Sequence, residues 1–142
     1  MAALVIAIGN PMRGDDGAAH RVLDVLGART GVERRAVMQL TPEIAEEIGS
    51  HDAVVFVDAD VSVTQTRIDA VGSMPCPSTL THVSRPAEIV ALARILFGFS
   101  GPAYVCRLPA TDFSERTGLS PSAEGFVHTA AREIDRLLSR IR

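Results

Sequence analysis

Five side chains of types that hold a cation or move a proton stand at or beyond the ends of apolar runs in this sequence. Asp15 and Asp16 close the turn Gly9-Asn10-Pro11-Met12-Arg13-Gly14, which follows the run Ala3–Ile8. Asp58 ends the run Ala53–Val57, with Asp60 two residues on, and His82 lies in the Pro-, Ser- and Thr-rich stretch 72–85. Carboxylates combined with imidazole suit a divalent transition metal better than Ca²⁺ or Mg²⁺. Three protein ligands would leave coordination positions open. The same groups serve general acid–base chemistry. Each also has a structural reading, as a helix cap, a strand-end turn residue or an ordinary loop histidine. Spacing alone therefore supports a cation or acid–base site and leaves its membership open.

Other chemistries fit poorly. The glycines at 9, 14 and 17 fail the G-x-G-x-x-G spacing at its first step. A phosphate at the start of the first helix would also meet two carboxylates. All 14 basic residues are Arg, so Walker-type nucleotide binding, Schiff-base chemistry and a Ser–Lys dyad lack their amine. There is no G-x-S-x-G elbow. Cys76 and Cys106 match no metal-ligand spacing and read as reduced thiols, with a Cys76–His82 pair as the less favoured alternative. A net charge of −3 with no Trp gives no footprint for nucleic acid. The first apolar run has no basic flank and is too short for a signal segment or a membrane span, so a cytoplasmic protein without a membrane partner is expected.

The elements that must position these residues follow from periodicity. Ala3–Ile8 and Ala53–Val57 read as strands covered on both faces, Val32–Met38 and Thr66–Val71 as less buried strands, and Ala103–Leu108 as a further strand. A helix is expected from Asp15-Asp16 to Leu26, a short one after Thr41-Pro42 to about Gly49, and one over Pro86–Phe97. Ser120-Pro121 open a long last helix whose apolar residues, from Phe126 to Ile141, form one stripe. Strands alternating with helices predict a single α/β domain over residues 1–142, a three-layer sandwich around a mostly parallel, roughly five-stranded sheet. Such a sheet brings the loops carrying Asp15, Asp16, Asp58 and His82 to one edge, where ligands bind.

At these residues the sequence resembles the maturation endopeptidases of nickel–iron hydrogenases. Gly9-Asn10-Pro11-Met12-Arg13-Gly14-Asp15-Asp16-Gly17 is similar to that family's Gly-Asn-x-Leu-x-x-Asp-(Asp/Glu)-Gly. Val55-Phe56-Val57-Asp58-Ala59 is similar to its strand ending in Asp-Ala. Thr81-His82 precedes a Pro-led helix with Pro86-Ala87-Glu88, and Gly118-Leu119-Ser120-Pro121-Ser122-Ala123-Glu124 resembles the entry to the family's last helix. The resemblance runs from about Leu4 to Leu138. It implies a cytoplasmic endopeptidase that removes a C-terminal extension from the hydrogenase large-subunit precursor after nickel insertion, with the metal as recognition signal. The metal-contacting residues map onto Asp16, Asp58 and His82, and the nickel would come with the precursor. Ala19 and a missing Pro-Gly turn in 60–67 depart from the family pattern. Two rival readings are a non-catalytic module that binds the nickel-loaded subunit and a receiver-like signalling domain. The second would need a Lys after the last strand, where Arg107 stands.

Overall fold

The computed structural model describes residues 2–71, 85–115 and 117–141. Strands β1 (Ala3–Ile8), β2 (Val32–Val37), β3 (Ala53–Asp60), β4 (Arg67–Ala70) and β5 (Ala103–Pro109) form one sheet in the order β2-β1-β3-β5-β4. Only β4 runs antiparallel. The expected α/β class is the one found. The central strands are apolar at nearly every position because helices cover both sides. Val5, Ala7, Val55, Val57 and Cys106 pack with α1 (Ala18–Leu26) and α4 (Pro121–Arg140). Leu4, Ile6, Val54, Phe56 and Val105 pack with α2 (Ile44–Gly49) and α3 (Pro86–Leu96). Each fully buried Leu, Ile, Val or Phe contributes about 1.5–3 kcal/mol. The last helix starts as its sequence predicts: the Ala123 N–H donates to Ser120 Oγ at 3.3 Å, and Pro121 occupies the first turn.

Three local expectations are corrected. Asp15 and Asp16 do not open α1; they lie in a single 3-10 turn, Gly14–Gly17, and neither caps the helix that follows. Their carboxylates are engaged elsewhere. Thr41-Pro42 form a turn rather than the start of α2, their carbonyls accepting the N–H groups of Ile44 and Ala45 at 3.1 Å each. β4 is antiparallel because the connection 61–66 is too short for the crossover that a parallel strand needs. Ala70 therefore pairs with Tyr104, at the amino edge of the parallel strands, and the Val71 N–H donates to the Ala103 carbonyl at 2.8 Å.

Asp15 is fully buried and ties two loops of the carboxyl edge together. Its Oδ2 accepts the N–H groups of Thr111 (2.9 Å) and Asp112 (3.0 Å) and the Ser120 hydroxyl (2.9 Å). Its Oδ1 accepts the Ser120 N–H at 2.8 Å, and its own N–H donates to the Asp112 carbonyl at 2.6 Å. Gly14, at φ +54, lies so close to that carbonyl that a Cβ there would overlap it. Burial alone would raise the carboxyl's proton affinity. The donors from Ser120, Thr111 and Asp112 outweigh it and lower the pKa to about 2.

A folded-state value below the unfolded one stabilises the fold above about pH 4, and that contribution is lost as pH falls toward 2. Asp15→Asn should therefore destabilise the protein by about 2–3 kcal/mol at pH 7. The gap to the unaltered chain should narrow at pH 3. Denaturant titrations at the two pH values measure both.

Candidate active site

The sheet order reverses between β1 and β3: β2 lies on one side of β1, and the chain then returns past it to β3. The chain leaving β1 goes to α1 on one face, whereas the α3 that precedes β5 covers the other. The carboxyl ends of β1 and β3 thus border a crevice at the switch point, where open α/β sheets take ligands. Asp16 and Asp58 stand on its two sides.

Gly9 and Asn10 fix the position of Asp16. Gly9 has a φ of +148, and a Cβ on it would overlap the Asp16 carbonyl, so no other residue allows the turn to close. Asp16 Oδ2 accepts the Asn10 N–H at 2.8 Å. Asn10 in turn shapes the loop, its Oδ1 accepting the Met12 N–H at 2.9 Å and its carbonyl the Arg13 N–H at 3.0 Å. Among the described residues, no hydrogen bond engages Asp16 Oδ1.

Asp58 is positioned by register: it pairs with Ile8 of β1 on one side and Arg107 of β5 on the other. Burial pushes its pKa up to about 7, and the charges of Asp60 and Asp16 push in the same direction. The Arg107 guanidinium and the Ala59 N–H act the opposite way. Arg107 Nε lies 3.6 Å from Asp60 Oδ2, while Asp60 Oδ1 accepts the Ser62 N–H at 2.8 Å and its hydroxyl at 2.7 Å. Arg107 is the site residue whose role sequence reasoning missed. Its signal was a lone cation inside the otherwise apolar run Ala103–Leu108.

His82 and Cys76 lie outside the described residues. The strand expected to deliver His82 ends at the amino edge, so β4 itself does not bring the loop to the site. Arg85, three residues beyond His82, precedes α3. Phe97, past the end of α3, meets Gly49 ahead of β3, and an 11-residue helix spans about 16 Å, so α3 begins toward the carboxyl edge. Among the described residues no three His, Cys, Asp or Glu side chains are grouped to hold a metal ion. Cys106 is buried in the core, which raises its thiol to about 12 and makes it a poor nucleophile. No described helix is long and apolar enough to cross a membrane.

The chain has the α/β fold of the hydrogenase maturation endopeptidases. The hydrogenase maturating endopeptidase HybD from Escherichia coli superimposes with a TM-score of 0.76 at 18% identity, over 99% of this chain and 93% of that one. The nickel–iron hydrogenase maturation protease HycI from Thermococcus kodakarensis gives 0.77 at 18% identity, over 97% and 92%. A hydrogenase 2 maturation peptidase from a Thaumarchaeota archaeon gives 0.69 at 17% identity, over 97% and 98%. No protein-family model matches the sequence, and no curated protein does.

The raised value of Asp58 carries a stability cost of known sign. A folded-state pKa of about 7 against an unfolded value near 3.8 makes the ionised carboxylate destabilising, increasingly so as pH rises from 4 to 7. Asp58→Asn should therefore raise stability by about 2–4 kcal/mol at pH 8, and by little at pH 4. Thermal melts across that range test it.

Proposed function

We propose that the protein is a cytoplasmic endopeptidase that removes the C-terminal extension of a nickel-loaded hydrogenase large-subunit precursor. The observation that supports this most is the placing of Asp16 and Asp58 across the switch-point crevice, in a fold shared with a hydrogenase maturating endopeptidase. The nickel belongs to the substrate. Asp16 Oδ1, Asp58 and His82 are the groups assigned to contact it, the first two from the crevice and the third from the family resemblance.

Peptide hydrolysis needs a water relieved of its proton and an electrophilic carbonyl. Nickel held in the precursor would supply Lewis-acid polarisation of the scissile carbonyl. Water adds to the carbonyl carbon, a carboxylate takes its proton, and the departing amine nitrogen receives that proton as the C–N bond breaks. Asp58, with a proton affinity close to neutrality, is suited to accept and return it. Asp16 is anchored by Asn10 and serves as a fixed contact. The thiols have no part in this scheme.

Four outcomes follow. Precursor carrying nickel should lose its extension, seen as a mobility shift on gels, and precursor without nickel should not; equal cleavage of both would point to a peptidase that reads sequence alone. Asp16→Asn, Asp58→Asn and His82→Ala should each slow processing at least about 100-fold while the fold persists. A Cys76→Ser/Cys106→Ala variant should process normally. Processing should also rise with pH through about 7 as Asp58 loses its proton, a step absent from Asp58→Asn. A variant set that binds nickel-loaded precursor but never cleaves it would instead favour a non-catalytic binding module.

A further inference from the structure

β2 is an outermost strand; Arg29 bridges to Val32 at its start, and beyond that bridge no described residue pairs with its outer edge. Its inner side is fixed by two bonds to β1 and the residue following it: the Ala3 N–H donates to the Gly31 carbonyl at 2.8 Å, and the Gly9 N–H to the Val37 carbonyl at 3.0 Å. Peptide groups along a strand point alternately to either side. The N–H and C=O groups of Arg34 and Ala36 therefore face outward. Side chains alternate between the two faces as well. Arg34 and Ala36 line a groove of about 580 Å³ against Leu23 and Asp24 of α1. Arg35 and Val37 line one of about 700 Å³ beside α2, with Glu43, Ile44 and Glu46.

An open strand edge with a groove on each face accepts an extended polypeptide as an added strand. Main-chain hydrogen bonds give affinity, and alternate side chains enter the grooves. β2 has six residues and no proline, so it lacks two common guards against such pairing. Its charges do not guard it either. The Arg34 guanidinium donates to the Leu23 carbonyl at 2.9 Å, and Arg35 is held by Glu47 at 2.7–3.0 Å, each drawn onto its own face.

The net negative groove beside α2 and the continuity of the edge with the crevice favour a foreign chain over a second copy. Antiparallel self-pairing must set outward residues opposite outward residues. The two most extensive registers then place Arg34 opposite Arg34, with Glu33 opposite Arg35 on either side, or Arg35 opposite Arg35, so charge pairing does not select a second copy. The groove beside α2 offers a different complement. Glu43 and Glu46 lie next to the neutralised Arg35–Glu47 pair, leaving a net negative site for a basic side chain. The edge also leads to the candidate active site, because Val37, its last residue, is bonded to Gly9 at the root of the turn that carries Asp16.

We propose that the substrate polypeptide docks as an added strand on Arg34–Ala36, places a basic side chain in the groove between β2 and α2, and runs on toward Asp16. This rests on the function proposed above. Ala36→Pro removes an outward N–H that the fold does not use, and edge strands tolerate proline. Glu43→Arg with Glu46→Arg tests the groove without touching the strand and serves if Ala36→Pro does not fold. With nickel-loaded precursor as the probe, each variant should raise KM about 10-fold or more while kcat stays within about twofold. In the unaltered protein, the amides of Arg34 and Ala36 should gain protection from hydrogen exchange when precursor binds. Unchanged KM in the folded variants, together with unprotected amides, would overturn the docking mode while leaving the endopeptidase reading intact. A dimer of the unaltered protein that Ala36→Pro abolishes would assign the edge to a second copy and overturn it too. Failure of the unaltered protein to process nickel-loaded precursor would remove the endopeptidase reading, and this inference with it.

Discussion

The carboxyl edge of this fold depends on one buried carboxylate. Asp15 gathers donors from residues Thr111, Asp112 and Ser120, which belong to the connection between β5 and α4. It thereby fixes the first loop of the chain against the last. Asp16 is its chain neighbour, so the direction in which Asp16 presents its free oxygen is inherited from the Asp15 clamp. Two adjacent aspartates thus do opposite work. One is saturated with hydrogen bonds and holds its charge at almost any pH; the other keeps an oxygen open.

Asp58 is the electrostatic counterpart. Half-buried, beside Asp60 and within the influence of Asp16, it holds its charge at an energetic cost that Arg107 only partly offsets. A positive ion between Asp16 and Asp58 would relieve their mutual repulsion, so binding energy at this crevice comes partly from strain already stored in the fold.

Much of this was legible in the chain, for physical reasons that can be named. Ala3–Ile8 and Ala53–Val57 are apolar throughout because both sides of the central strands are covered, and the stripe of α4 reflects a single buried face. Asp16 and Asp58 stood out because they end such runs. The role of Asp15 was not legible, since its partners lie 96 to 105 residues away and no local pattern records them. The direction of β4 depends on the length of a connection rather than on the strand's own residues. Arg107 was visible as a charge, but its pairing with Asp58 and Asp60 is a matter of sheet register. The start of α2 went astray because Thr41-Pro42 is equally good as a turn.

The antiparallel β4 has a consequence for how such a chain can diverge. Its strand pairing is with the outer side of β5 alone, so the loop 61–66 can change in length or composition without shifting the alignment of β1, β3 and β5 that holds Asp58 between Ile8 and Arg107. This is also the stretch that lacks the Pro-Gly turn of the resembled family. Over evolutionary time, this connection and the edge strand it leads to are free to drift, while the alignment beside them is inherited unchanged.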